Sequence, residues 1–133
     1  MESVARTYLI LGSIFAFLSV AFGAFGAHAL KTRIEPNLLE AFQTGVQYQA
    51  IHALALLLAA ALWYFKPNLI QLKTVCFFFT AGIIFFSGSL YVMALTGVKL
   101  LGAITPVGGV NFLMGWVYLT VVAVSLPANQ SSS

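Results

Sequence analysis

Long apolar runs, separated by short polar breaks, organise this chain. Four runs, about 8–30, 46–65, 73–95 and 106–126, carry few charged or strongly polar side chains. A helix needs about 20 such residues to cross the hydrocarbon core of a bilayer, and each run meets that length. The breaks fall at 31–45, 66–72 and 96–105. Pro67 and Asn68 mark the sharpest stop. Pro106 suits the first turn of the fourth helix, where a missing N–H costs nothing. The pattern therefore predicts an all-α, polytopic membrane protein: a four-transmembrane-helix bundle forming a single domain over 1–126, with a short polar tail at 127–133.

The first break has its own periodicity. Leu38, Leu39, Phe42 and Val46 recur at near-helical spacing, with Glu40, Gln43 and Gln47 on another side. Together with Pro36 and Asn37 as an opening, this predicts a short interfacial helix between spans one and two. "GAHA" before Leu30 has the small residues of a signal-peptide cleavage site. The apolar stretch ahead of it is longer than a signal peptide's core, so an uncleaved span is expected.

Composition strengthens the membrane reading. Of 133 residues, 61% are hydrophobic and 7% charged, with a mean hydropathy of +0.99. Soluble domains typically carry about 25% charged residues. The six Lys and Arg are scattered singly rather than set in a basic stripe, so no nucleic-acid partner is expected. Membrane lipid is the expected surround, with a homo-oligomer or a membrane-protein partner as further expectations. An integral protein of the plasma (inner) membrane is expected. Arg6, Lys66 and Lys73 fall on the side of the termini, and Lys31, Arg33 and Lys99 on the other. That three-to-three division also permits insertion in both orientations; cytoplasmic termini are taken as the expectation.

Helices in lipid associate by close packing rather than by burial. Span one offers Gly12 and Ala16, then Ser19, Gly23 and Ala27, in steps of four. Span four offers Gly108 and Gly115, a heptad apart. The small face of span one predicts that this span is central and packed.

Most unusual polar residues gather near one break. His28 closes span one, and His52 lies within two turns of the start of span two. Gln47, Tyr48, Tyr91 and Asn111 are placed by topology toward the same membrane face. Interfacial residues are cheap to keep wet, so part of this cluster is structural. Polar groups within spans more often mark function, and His52 is the deepest. The six residues His28, Gln47, Tyr48, His52, Tyr91 and Asn111 form the candidate ligand site. The chemistry they exclude is clearer. There is no Asp, so a Ser-His-Asp hydrolase fails. His28, Glu40 and His52 have no ligand spacing, so no metal is expected. Cys76 has no partner and reads as a small apolar residue. No catalytic residue and no cofactor are expected. The function expected is binding of a lipid, small ligand or partner subunit through this cluster. The alternative is an oligomeric channel or transporter for a small ion or solute.

Four blocks, "GAFGAHAL" at 23–30, "FQTGVQYQAIHALALL" at 42–57, "GSLYVMALTG" at 88–97 and "LGAITPVGGVNFLMGW" at 101–116, follow one another in order. Together they resemble the "domain of unknown function 423" family of small four-span membrane proteins, over about residues 8–125. The resemblance implies a helical bundle in a membrane. It brings no activity and no catalytic residue.

Overall fold

The computed structural model describes residues 2–128, so most of the tail expected at 127–133 lies outside the described residues. Helix α1 runs Glu2–Phe25 and continues through one π-helical turn, Gly26–Leu30. Helix α2 is Pro36–Phe65. The third span is α3, Gln71–Gly82, a π-helical turn, Ile83–Ser87, and α4, Gly88–Thr96. A 3-10 turn, Lys99–Ala103, leads into α5, Thr105–Ser125. Among the described residues four helical segments are long and apolar enough to cross a membrane: Ser3–Leu30, Pro36–Phe65, Gln71–Thr96 and Lys99–Ser125.

The helical turns expected before span two are present, but they are not a separate element. They are the first turns of α2, which runs unbroken for 30 residues. Pro36 sits in its first turn, where it is tolerated, and nothing after it up to Pro67 interrupts the backbone hydrogen bonds. Helix α4 ends where Gly97 adopts φ 74° and its N–H reaches back to Met93 O at 2.8 Å. A left-handed residue at that position is the usual terminator, and glycine adopts it without a Cβ clash.

Span two is the central helix. It packs against α1 on one side and against the third span on the other, and α5 packs against the third span. This corrects the expectation for span one. Only 17% of its most apolar window is buried, against 44% for span two and 44% for the third. The small residues of α1 are used, but against one neighbour. A Cβ at Gly12 would lie 2.9 Å from Leu57, and one at Gly23 would lie 3.4 Å from Val46, both on α2. Ser19 is buried, Ala16 is half-buried, and Ala27 is exposed. One stripe of small residues served one partner, which is too little to bury a helix.

The main core lies in the half nearer the termini. It joins Ala55, Leu56, Ala59, Ala60 and Trp63 of α2 to Leu72, Val75, Cys76 and Phe79 of α3, with Phe112 and Val122 of α5. Cys76 is the small buried residue expected. Trp63, near the end of α2, is only 1% exposed and faces this core. A smaller cluster at the other end packs Leu30, Phe42 and Ala94 with Phe22, Val46 and Tyr91.

Candidate functional site

The site is built from a glycine contact outward. Gly108 of α5 lies directly against the backbone of Phe86, and a Cβ at Gly115 would lie 2.5 Å from the Phe79 ring. These two glycines let α5 approach the third span closely. Phe112, one turn after Gly108, then enters the space left by Gly82, where a Cβ would overlap the Phe112 ring. The far face of that ring meets α2. Phe112 and His52 stack with ring centres 3.6 Å apart and planes 11° apart.

His52 is held by both ring nitrogens. Nδ1 lies 2.7 Å from Tyr48 O, and Nε2 accepts the indole N–H of Trp116 at 3.0 Å. An indole nitrogen can only donate, so Nε2 is the acceptor. The ring proton is therefore on Nδ1, donated to the carbonyl one turn earlier. His52 is 4% exposed, and it lies roughly 24 Å along α2 from Pro36, at 1.5 Å per residue. It is deep in the span, not at the membrane face.

Above this pair an apolar groove runs between α2 and α5, with a volume of about 440 Å³. Tyr48 and His52 form one wall, Phe86 the floor, and Pro106, Gly109, Val110, Phe112, Leu113 and Trp116 the other wall. Tyr48, Val110, Leu113 and Trp116 are all exposed, so the groove opens on its lipid-facing side. Almost all of its lining is aromatic or aliphatic.

A second polar group lies on an adjacent flank of α2, about 60–100° around the helix from His52 and Tyr48. Gln49 is 2% exposed. Its amide N–H donates to Phe15 O of α1 at 2.8 Å, and its amide oxygen accepts Tyr91 O–H of α4 at 2.6 Å. One side chain thereby joins three spans. Ser87 O–H adds a bond to Gly45 O at 2.7 Å, buried between the third span and α2. Gly45 has no room for more, since a Cβ there would lie 2.8 Å from Tyr91.

The six residues grouped by sequence thus separate. Tyr48 and His52 share the groove. Tyr91 belongs to the Gln49 group on the adjacent flank. Asn111 turns back to its own helix, donating to Val107 O at 2.7 Å. His28 and Gln47 are exposed, and neither joins the groove. The physical reason is helical rotation: Gln47, Tyr48 and Gln49 are consecutive, so they point about 100° apart around α2. Phe86, Phe112, Trp116 and Gln49 are the residues the sequence reading left out. Glycines in steps of seven at 108 and 115 were the available signal for the Phe112–Trp116 face.

No group of three or more His, Cys, Asp or Glu side chains that could hold a metal occurs among the described residues.

Comparison with known proteins gives a family. The model described as "Protein of unknown function (DUF423)" matches residues 22–109. The UPF0382 membrane protein YwdK of Bacillus subtilis is 44% identical over 119 residues, covering 90% of this chain and 97% of that protein. The UPF0382 membrane protein SAB0533 of Staphylococcus aureus is 41% identical, covering 87% of this chain and 93% of that one. The UPF0382 inner membrane protein YgdD of Escherichia coli is 40% identical over 129 residues and 92% of each chain. No solved structure matches. With four membrane-spanning helices and relatives of this kind along nearly its whole length, the chain is a membrane protein belonging to the DUF423 family.

Proposed function

We propose that this protein binds the apolar chain of a membrane lipid in the groove between α2 and α5. The observation that supports this is the groove itself: about 440 Å³ of apolar space, open toward lipid and lined by four aromatic residues and His52. Ligand sites are typically apolar clefts of roughly 300–1,000 Å³ with a few polar groups that fix orientation. Here the candidate is the Tyr48 hydroxyl, since both ring nitrogens of His52 are already bonded within the protein. The channel or transporter alternative has no comparable feature among the described residues, where the buried side chains of Gln49, His52, Ser87 and Ser89 each bond to a neighbouring helix. The E. coli relative's name places that protein in the inner membrane, which supports the same location for this one. Cytoplasmic termini are one of the two orientations that its evenly divided basic residues allow.

A groove-filling variant tests the reading. A Cβ at Gly109 would meet only Phe86, at 3.9 Å, so Gly109→Leu fits while occupying the groove. Purified protein in phosphatidylglycerol–phosphatidylethanolamine vesicles, with a photoactivatable acyl chain, should label Tyr48 and Leu113 well above Val121 on the outer face of α5. Gly109→Leu should lose that excess. Equal labelling of groove and outer face, or an excess that survives the substitution, would rule the site out.

A further inference from the structure

Away from that groove, the outer face of the third span carries a notch. Two shallow grooves of about 210 and 250 Å³ meet there and share Ile84 and Gly88. A Cβ at Gly88 would meet nothing within 4 Å. The other helix-contact glycines of this chain, such as Gly45, Gly82, Gly108 and Gly115, are filled by a neighbour; Gly88 has a small residue's gap without an occupant. In α3 of the same span, Phe77 projects at 57% exposure. The knob at 77 and the notch at 88 lie on either side of the midpoint of the Gln71–Thr96 helix, separated by roughly 16 Å along it.

The charges at the membrane faces say which partner would bring knob to notch. Arg6, Lys66 and Lys73 stand at one face, Lys31, Arg33 and Lys99 at the other, and all six are exposed. They lie at helix ends or in short connections, where basic residues set orientation. Three against three gives insertion no preference, which permits copies of both orientations in one membrane. Two copies of opposite orientation are related by a two-fold axis in the membrane plane, which exchanges the two halves of each span. Such an interface is isologous, with each residue pairing reciprocally. An axis near the middle of the third span sets Phe77 of one copy against Gly88 of the other, and the reverse. Copies of the same orientation would instead bring like residues together, 77 with 77 and 88 with 88. We propose that this chain inserts in both orientations and pairs with an oppositely oriented copy of itself through the third span, Phe77 of each filling the Gly88 notch of the other. The inference is independent of the lipid-binding reading, since the notch and the α2–α5 groove are on different faces.

Two measurements on the full chain in its native membrane decide it. C-terminal fusions to a fluorescent protein active only inside the cell, and to a phosphatase active only outside, should both give signal. Asn68→Lys and Thr32→Lys, adding one charge to opposite faces, should shift the ratio in opposite directions. Separately, in a Cys76→Ala background, co-expressed Phe77→Cys and Gly88→Cys chains with different tags should form a mixed disulfide. Neither should do so with itself. Gly88→Leu, for which the single chain has room, should abolish cross-linking through Phe77→Cys to a cysteine at Ile84 while unfolding at the wild-type temperature. Signal from one fusion only would overturn the proposal. So would disulfides joining 77 to 77 and 88 to 88, no mixed disulfide, or cross-linking that survives Gly88→Leu.

Discussion

The indole N–H of Trp116 points into His52 Nε2 at 3.0 Å, tying the middle of α5 to the middle of α2. Between these helices lies the open groove, so this bond and the stacking of Phe112 on His52 and Tyr48 are direct ties across that gap. Hydrogen bonds between membrane helices are worth roughly 1 kcal/mol. Trp116→Phe and His52→Leu should each destabilise the protein in detergent. Their double variant should cost less than the two single costs together, by about 1 kcal/mol. Simple additivity in a denaturation cycle would mean that the bond contributes nothing. A nitrogen NMR spectrum should also show His52 protonated on Nδ1 and bare on Nε2.

Close helix contact depends on particular glycines. Gly108→Ala would drive a methyl into the Phe86 backbone, which cannot rotate away. Overpacking of this kind typically costs about 1–3 kcal/mol, and α5 should loosen from the third span. Gly109→Ala, next in sequence but facing the groove, should leave the unfolding temperature nearly unchanged. Equal effects of the two would show that α5 is not seated as described.

Gln49 should behave as the hub of its group. Gln49→Leu removes bonds to both Phe15 O and Tyr91 O–H, and should cost about 1–2 kcal/mol. Tyr91→Phe loses only one of them and should cost less. Once Gln49 is Leu, adding Tyr91→Phe should change little further, because the hydroxyl already lacks its partner. A full additional cost would place the Tyr91 hydroxyl in some other contact.

Residues outside the groove should be silent in lipid labelling. His28→Ala and Gln47→Ala change exposed side chains and should leave the photolabelling excess at Tyr48 intact. Trp116→Ala, which removes a wall, should reduce it. Loss of labelling on changing His28 or Gln47 would move the binding region toward the membrane face.

Four apolar runs of bilayer length, broken by Pro67 and by short polar connections, determined the helix count and the membrane solvent without reference to any contact. Burying an unpaired backbone in lipid is so costly that such a run has no alternative to a helix. The burial of Cys76 was legible from its place as a small residue in an apolar run. Depth along a span could be read only in outline, since α2 runs on from Pro36 without the break that its polar first turns suggested. Which helix would be central was not legible. The small stripe of α1 showed that a neighbour would approach, not that there would be one neighbour only. Nor could linear spacing separate His52 from Tyr91, or bring Trp116, 64 residues away, to the histidine. Those pairings depend on how far each helix is rotated, and rotation is decided when glycines at 82, 108 and 115 meet the rings that fill them. Hydrophobicity chooses the solvent of a segment by composition alone, whereas packing chooses its neighbours by shape, and shape exists only once the helices have met.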